Sequence, residues 1–252
     1  MQGSYFRHPR WPLIFEDNHL LVLYKPAGLL VQGDRTGDVS LLDLGKAWLK
    51  DRYHKPGEVF LGMVHRLDRP VAGVVVFART SKAAGRLSDQ FRRRKVQKVY
   101  LAVLEGTPPQ ERGTLVNWIE RREDRSSRVL PSSAQKQEAR LSYRLLRSSG
   151  PISLVEIHLE TGRRHQIRVQ FSHLGCPVLG DLRYGARAPL PGKQIALLAR
   201  RLVLHHPTRH ELITLDSPLP EGWPLLPENF PPVRTVPWTW EDMCSLPADT
   251  GM

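Results

Sequence analysis

"MVHRLDRPVAGVVVFART", residues 63–80, changes character halfway. Its second half contains Val74-Val75-Val76-Phe77, a short apolar run that reads as a buried strand over 73–78. Its first half places His65, Arg66, Asp68 and Arg69 around a single Leu67. So many polar groups entering a buried strand fit either a solvated loop or a carboxylate held near a cation at the mouth of a cleft. The stretch also sets the fold class, because a helix and then another strand come directly after it. Ser81 is placed to cap a helix whose Ala84, Leu87 and Phe91 recur at helical spacing. After "RRRKVQKVYLAVLEG" begins, the 3.6 period gives way to a strand at Val99–Leu104.

Working outward, "LIFEDNHLLVLY" (13–24) reads as two strands about a turn at Asp17-Asn18, broken by Lys25-Pro26-Ala27-Gly28. "VSLLDLGKAWLK" (39–50) reads as a helix with Ser40 as N-cap. "ARLSYRLLR" and "SLVEIHLET" read as strands, and "RRHQIRVQFSHLG" as a helix closed by Gly175. "RLVLHHPTRHELITLDSP" reads as a hairpin about residues 207–210. Strands outnumber helices without alternating strictly with them, so an α+β fold with a mixed sheet is expected rather than a doubly wound one. Residues 218–252 hold eight of the 21 prolines and three of the six tryptophans, and are expected to wrap the surface or stay partly disordered. The expected organisation is an N-terminal extension over 1–12, one catalytic domain over 13–217 and a Pro/Trp-rich extension over 218–252.

The 252 residues carry 37 Lys and Arg against 25 Asp and Glu, a formal charge of +12. That excess favours an anionic partner, most often nucleic acid. Cys176 and Cys244 are too few for a disulfide framework or a cysteine zinc cluster. No apolar run approaches the roughly 20 residues of a membrane span, and the N-terminus lacks the apolar core of a secretory signal. A reducing, cytoplasmic setting and a monomer are the default expectations. Histidines 158, 165, 173, 205, 206 and 210 suggest a metal at first sight, but His165 and His173 lie eight apart with no third ligand in reach by spacing. No metal site is expected.

Four segments carry chemistry together: Lys25-Pro26-Ala27-Gly28; His65-Arg66-Leu67-Asp68; "QKVYLAV" with Lys98 and Tyr100; and "LETGRRHQIRVQFSHLGCPVLGDLRYG" with Arg163-Arg164-His165-Gln166-Ile167-Arg168 and Gly180-Asp181. Their order and spacing resemble the RluA-type RNA pseudouridine synthases, over about residues 13–215. The resemblance implies a mixed, mostly antiparallel sheet flanked by helices and loops, with a central RNA-binding cleft. It implies isomerisation of uridine in RNA, without cofactor or metal, since no electrons are exchanged and no group enters from outside. Ribosomal RNA is the preferred target, with transfer RNA as the alternative.

The chemistry explains the residue types. Detaching uracil from ribose and rejoining it through carbon needs a carboxylate beside the anomeric carbon, as in retaining glycoside hydrolysis. A neighbouring cation must keep that carboxylate ionised in a water-poor pocket. A flat side chain must retain the loosened base, and basic groups must support extrusion of the nucleotide. By resemblance, Asp68 is the carboxylate, acting as nucleophile or as the base of a glycal-type route; otherwise it is a turn aspartate before Pro70. Arg168 is its ion-pair partner by the same resemblance. On a helix Arg164 and Arg168 would lie four apart on one face, so that one pairs while the other reaches phosphate or both line a solvated face. Tyr100 stacks on the target base, or else is a core tyrosine; it falls on the strand face opposite Val99, Leu101 and Val103. The resemblance implies that Arg66 fills the gap left by the flipped base, and His65 is left open between a hydrogen bond within its loop and a direct chemical role. Arg92, Arg93, Arg94, Lys95 and Lys98 form either a phosphate-tracking patch or a solvated helix end. The loop "ERREDRSSR" (120–128) is left open between an RNA-facing loop and no role.

The chain departs from the family pattern at Val71 and Ala72, where relatives commonly carry hydroxyls, and at Arg164, where they carry threonine; altered loop packing is expected. About a dozen residues precede the first strand, too few for the small RNA-binding domain with which many relatives begin. Two rival readings are a catalytically idle RNA-binding protein on the same scaffold, and a hydrolase of nucleoside or sugar bonds using Asp68. The hydrolase normally needs a second acid, which the HRLD segment lacks.

Overall fold

A turn that satisfies its own backbone starts the chain's first hairpin. The computed structural model describes residues 13–124, 126–130, 137–227 and 235–244; the 1–12 extension lies outside these. Strands β1 (Leu13–Glu16) and β2 (Leu20–Lys25) are antiparallel. The Asp17 carboxylate between them accepts from the backbone N–H of His19 and of Leu20, each at 2.8 Å, as expected for an Asx turn. All six residues of β2 are buried. Helix α1 (Leu41–Arg52) starts at Ser40, whose hydroxyl accepts from Asp43 N–H while the Asp43 carboxylate accepts from Ser40 N–H.

After β3 (Gly62–Met63) and β4 (Ala72–Ala78), helix α2 spans Ser81–Arg92. Its N-cap is Thr80, not Ser81: the Thr80 hydroxyl accepts from Ala83 N–H at 3.1 Å. β4 ends at Ala78, and Arg79 N–H donates to His19 O, so the first residue free to cap is Thr80.

The chain then forms β5 (Gln97–Glu105), β6 (Arg112–Arg121), β7 (Ser127–Leu130), β8 (Gln137–Ser149) and β9 (Ile152–Leu159). Residues 120–128 lie at the closed end of a hairpin: Glu120 and Arg121 end β6, and Ser127 and Arg128 begin β7, with Arg125 outside the described residues. Helix α3 spans Gln166–His173. It is followed by β10 (Leu197–His205), β11 (Leu212–Asp216), β12 (Leu219–Pro220), β13 (Thr235–Val236) and the short α4 (Trp240–Cys244). β10 and β11 make the hairpin expected about 207–210. The element content is α+β with mostly antiparallel pairing, as the sequence predicts.

The described residues fall into two compact units: those within 13–96, 201–221 and 235–244 form unit 1, and those within 97–200 and 222–227 form unit 2. In unit 1, Leu20, Val22, Val74, Val76 and Ala78 share one sheet face with Ala83 and Leu87 of α2. On the opposite face α1 approaches β2 closely at Gly45, where a Cβ would lie 3.3 Å from Leu21 and 3.5 Å from Leu23 side-chain carbons. Period-two alternation thus serves two helices, one per face. In unit 2 the strand order is β5-β9-β8-β6-β7, with Val169 of α3 packed against Ile119 and Ala139. Phe171 of α3 meets Tyr143 of β8 edge to face. The described parts of the C-terminal stretch are packed: Ala27 N–H donates to Trp238 O, and Tyr24 donates its hydroxyl to Pro237 O. Residues 228–234 and 245–252 lie outside the described residues.

Candidate active site

Unit 1 carries Asp68 on an irregular segment between β3 and β4. The segment is stitched to the Lys-Pro-Ala-Gly turn. The Arg69 carbonyl accepts from Gly28 N–H (2.8 Å) and from Lys25 Nζ (3.1 Å), and Arg69 Nε donates back to Gly28 O (2.8 Å). Val71 N–H donates to Asp68 O (3.1 Å), closing the turn. Lys25 is fully buried, and its ammonium also donates to Pro26 O and Leu29 O, so three carbonyls take its three N–H bonds. Burial pulls its pKa down to about 7, against the opposing pull of the nearby Asp68 carboxylate. Gly28 sits at φ 88°, a left-handed position that suits glycine, where the turn meets Arg69.

Asp68 is half-buried, while Arg66 is exposed on the same segment. His65 is fixed: its Nε2 accepts from Val76 N–H of β4 (3.0 Å), and its ring stacks on Phe91 of α2 at 4.8 Å. At the end of α2, Arg92 and Arg93 both pair with Asp89, and Arg94 takes the left-handed conformation (φ 57°) that closes the helix. The guanidinium of Arg92 beside Asp89 holds that carboxyl below the usual carboxylate range.

Unit 2 carries the remaining candidates. Tyr100 is half-buried on β5, opposite Ile157 of β9, on the face it shares with Lys98 and away from the buried Val99 and Leu101. Lys98 Nζ donates to Thr161 O at 3.4 Å. Arg164 precedes α3, which starts at Gln166 with His165 left-handed (φ 52°) as N-cap. The expected four-residue spacing along one helix face therefore does not hold for Arg164 and Arg168. A side-chain lock sets this loop: Gln166 Oε1 accepts from Arg163 N–H (3.0 Å) and the Thr161 hydroxyl (2.8 Å).

Arg168 is buried within α3, and sequence reasoning does not name the partner found here. Its Nε and Nη2 donate to the two carboxylate oxygens of Asp181 at 2.6 and 2.8 Å. Its guanidinium also lies 4.9 Å from the centre of the Tyr184 ring. Tyr184 Oη accepts from Ser127 N–H (2.8 Å) and lies 2.7 Å from His165 Nδ1. Burial pushes the Tyr184 hydroxyl upward in pKa, so it stays protonated. From sequence, the Gly180-Asp181 pair belongs to a motif without having a role of its own. The signal was there: an arginine and an aspartate, each among apolar neighbours, must be paired once buried. Among the described residues, no group of three His, Cys, Asp or Glu side chains is arranged to hold a metal ion, and no helix is long and apolar enough to cross a membrane.

With this geometry in place, comparison with known proteins is informative. Residues 19–173 match the family model described as RNA pseudouridylate synthase. The chain is 36% identical over 215 residues to the RNA pseudouridine synthase YhcT of Bacillus subtilis, covering 82% of this chain and 68% of that protein. It is 35% identical over 227 residues to the ribosomal large subunit pseudouridine synthase D of Pseudomonas aeruginosa, covering 84% and 69%. The solved structure of human RNA pseudouridylate synthase domain containing 4 superposes with a TM-score of 0.71 at 28% identity, covering 84% of this chain and 90% of that one. The chain belongs to the RNA pseudouridine synthase family, whose members are isomerases acting on RNA.

Proposed function

We propose that the protein converts specific uridines of ribosomal RNA to pseudouridine, with residues 13–217 as its catalytic domain and Asp68 as the reacting carboxylate. The stitched turn carries this reading: Lys25 and Gly28 hold the Arg69 carbonyl, which supports a fixed backbone beside Asp68. Asp68 attacks the anomeric carbon or removes a ribose proton; either way the ribose–N1 bond breaks, the base turns, and a ribose–C5 bond forms with loss of the C5 proton. Tyr100 stacks on the base and assists that proton, and Arg168, whose Nε and Nη2 are held by Asp181, is assigned by the family resemblance as the cation for Asp68. Arg66, Arg92, Arg93, Arg94, Lys95, Lys98 and Arg164 handle the RNA. The ribosomal target is supported by the name of the Pseudomonas relative; transfer RNA is the second reading. Two cysteines, Cys176 and Cys244, are too few for a disulfide framework, which suits a reducing compartment such as the cytoplasm.

The test is release of tritium from transcripts labelled at uracil C5. The parent protein is expected to release label as water, and Asp68→Asn to release none above blank. Free uracil in the parent reaction would mean a hydrolase. RNA binding without either product would mean an idle scaffold. Carbodiimide mapping of ribosomal and transfer RNA from a deletion strain then assigns the target.

A further inference from the structure

β3 pairs with β4 for two residues, Gly62 with Ala78 and Met63 with Phe77, and then leaves the sheet. The next N–H of β4 on that route, Val76, is fully buried and would lose its ladder partner there. It does not go unpaired: the His65 ring accepts its hydrogen bond through Nε2 at 3.0 Å. A backbone N–H can only donate, so the accepting nitrogen carries no proton, and the neutral ring holds its proton at Nδ1. The ring face is fixed as well, stacked on Phe91 of α2 with 16° between the planes. His65 therefore replaces a strand residue with a side chain. It ties the departing segment to the sheet and to α2 three residues before Asp68.

We propose that His65 is a positioning residue for Asp68: the bond from Val76 fixes where the segment leaves the sheet, and so where the carboxylate sits. The Lys25 and Gly28 bonds hold the segment on the far side of Asp68, at Arg69, so the carboxylate lies between two pinned points. This inference rests on the reading in which Asp68 reacts. Misplacement of a reacting group by about 1 Å can lower rate by on the order of 100-fold.

The experiment compares His65→Phe, which keeps the ring on Phe91 but removes the acceptor, with His65→Gln, which keeps an acceptor near Nε2 but removes the stacking ring. Tritium release at saturating RNA, KM and thermal midpoint are measured for both, with Asp68→Asn alongside. Expected are a 10- to 100-fold fall in kcat for His65→Phe with KM within about twofold, and recovery to within about fivefold of the parent for His65→Gln. In the parent, ring 15N shifts are expected to show Nε2 as the unprotonated nitrogen. Parental kcat in His65→Phe overturns the proposal. So does a rise in KM alone, which would make His65 an RNA contact. An equal fall in both variants that tracks lost stability would leave only a structural role, and a protonated Nε2 overturns the proposal without any variant. If Asp68→Asn isomerises RNA as fast as the parent, the underlying reading fails, whatever the His65 variants do.

Discussion

A guanidinium removed from water needs a carboxylate that meets it squarely, and Arg168 has one in Asp181. Their side chains are only 7% and 1% exposed, so breaking the pair leaves a charge in a low-dielectric interior. Asp181→Asn is expected to destabilise the protein by about 3–5 kcal/mol. At this size that lowers the thermal midpoint by on the order of 10 °C, readable by calorimetry. Arg168→Lys is no remedy, since an ammonium can neither bridge both oxygens nor lie flat on Tyr184. The residue before Asp181 is equally constrained. Gly180 sits at φ 85°, and a Cβ there would lie 2.8 Å from Leu190 Cγ and 3.0 Å from the Gln194 carbonyl oxygen. The Gly-Asp pair is thus one device: a left-handed turn without a side chain, delivering a carboxylate.

At the scale of elements, the cap of α2 gives a sharp comparison. Thr80→Ala is expected to cost about 1 kcal/mol in chemical denaturation, and Ser81→Ala less than about 0.5 kcal/mol. Both residues are good cap formers, so their order along the chain could not choose between them. The choice is made where β4 stops and Arg79 is drawn to the β1–β2 turn, its guanidinium 3.1 Å from Glu16 and over the Tyr53 ring. The β6–β7 hairpin was unreadable for a related reason. Its charges hide the strand pattern until Glu120 is seen directly opposite Arg128, at 2.9 Å. Gly113 of β6 passes 2.7–2.8 Å, counted from a built Cβ, from the ring of Tyr143, which Phe171 also holds. Gly113→Ala is expected to destabilise unit 2 by about 1–3 kcal/mol.

For the whole molecule, the +12 charge means that RNA affinity should fall steeply with salt. Arg92 and Arg93 are already partly neutralised by Asp89, so under the proposed phosphate-tracking role Arg94 and Lys95 are expected to contribute more to RNA binding. The double variant Arg94→Ala/Lys95→Ala is expected to weaken binding alike across RNA sequences. It should flatten the slope of log K against log salt by roughly 1.4–1.8 units, measured by filter binding. Acid should act elsewhere. Burial tends to raise the Asp17 carboxyl, but backbone bonds from His19 and Leu20 and the contact with buried His206 leave its pKa below the ordinary 3.8. A depressed carboxylate contributes stability that is present above the unfolded value and lost as pH falls through the folded one. Unfolding midpoints are therefore expected to drop below about pH 4, and Asp17→Asn should remove that part of the loss.

Period, punctuation and charge are local properties, and they could be read before any fold was known: the β2 and β4 strands, the Ser40 cap, the basic balance and the four motif segments. Choice of partner is not local. Nothing in the order of residues says that Arg168 takes Asp181 from among 25 acids, that Lys25 is buried under three carbonyls, or that the His65 ring stands in for a missing strand residue. Each is decided by burial, because only a group removed from water must find its partner in whatever the packed chain brings within 3 Å.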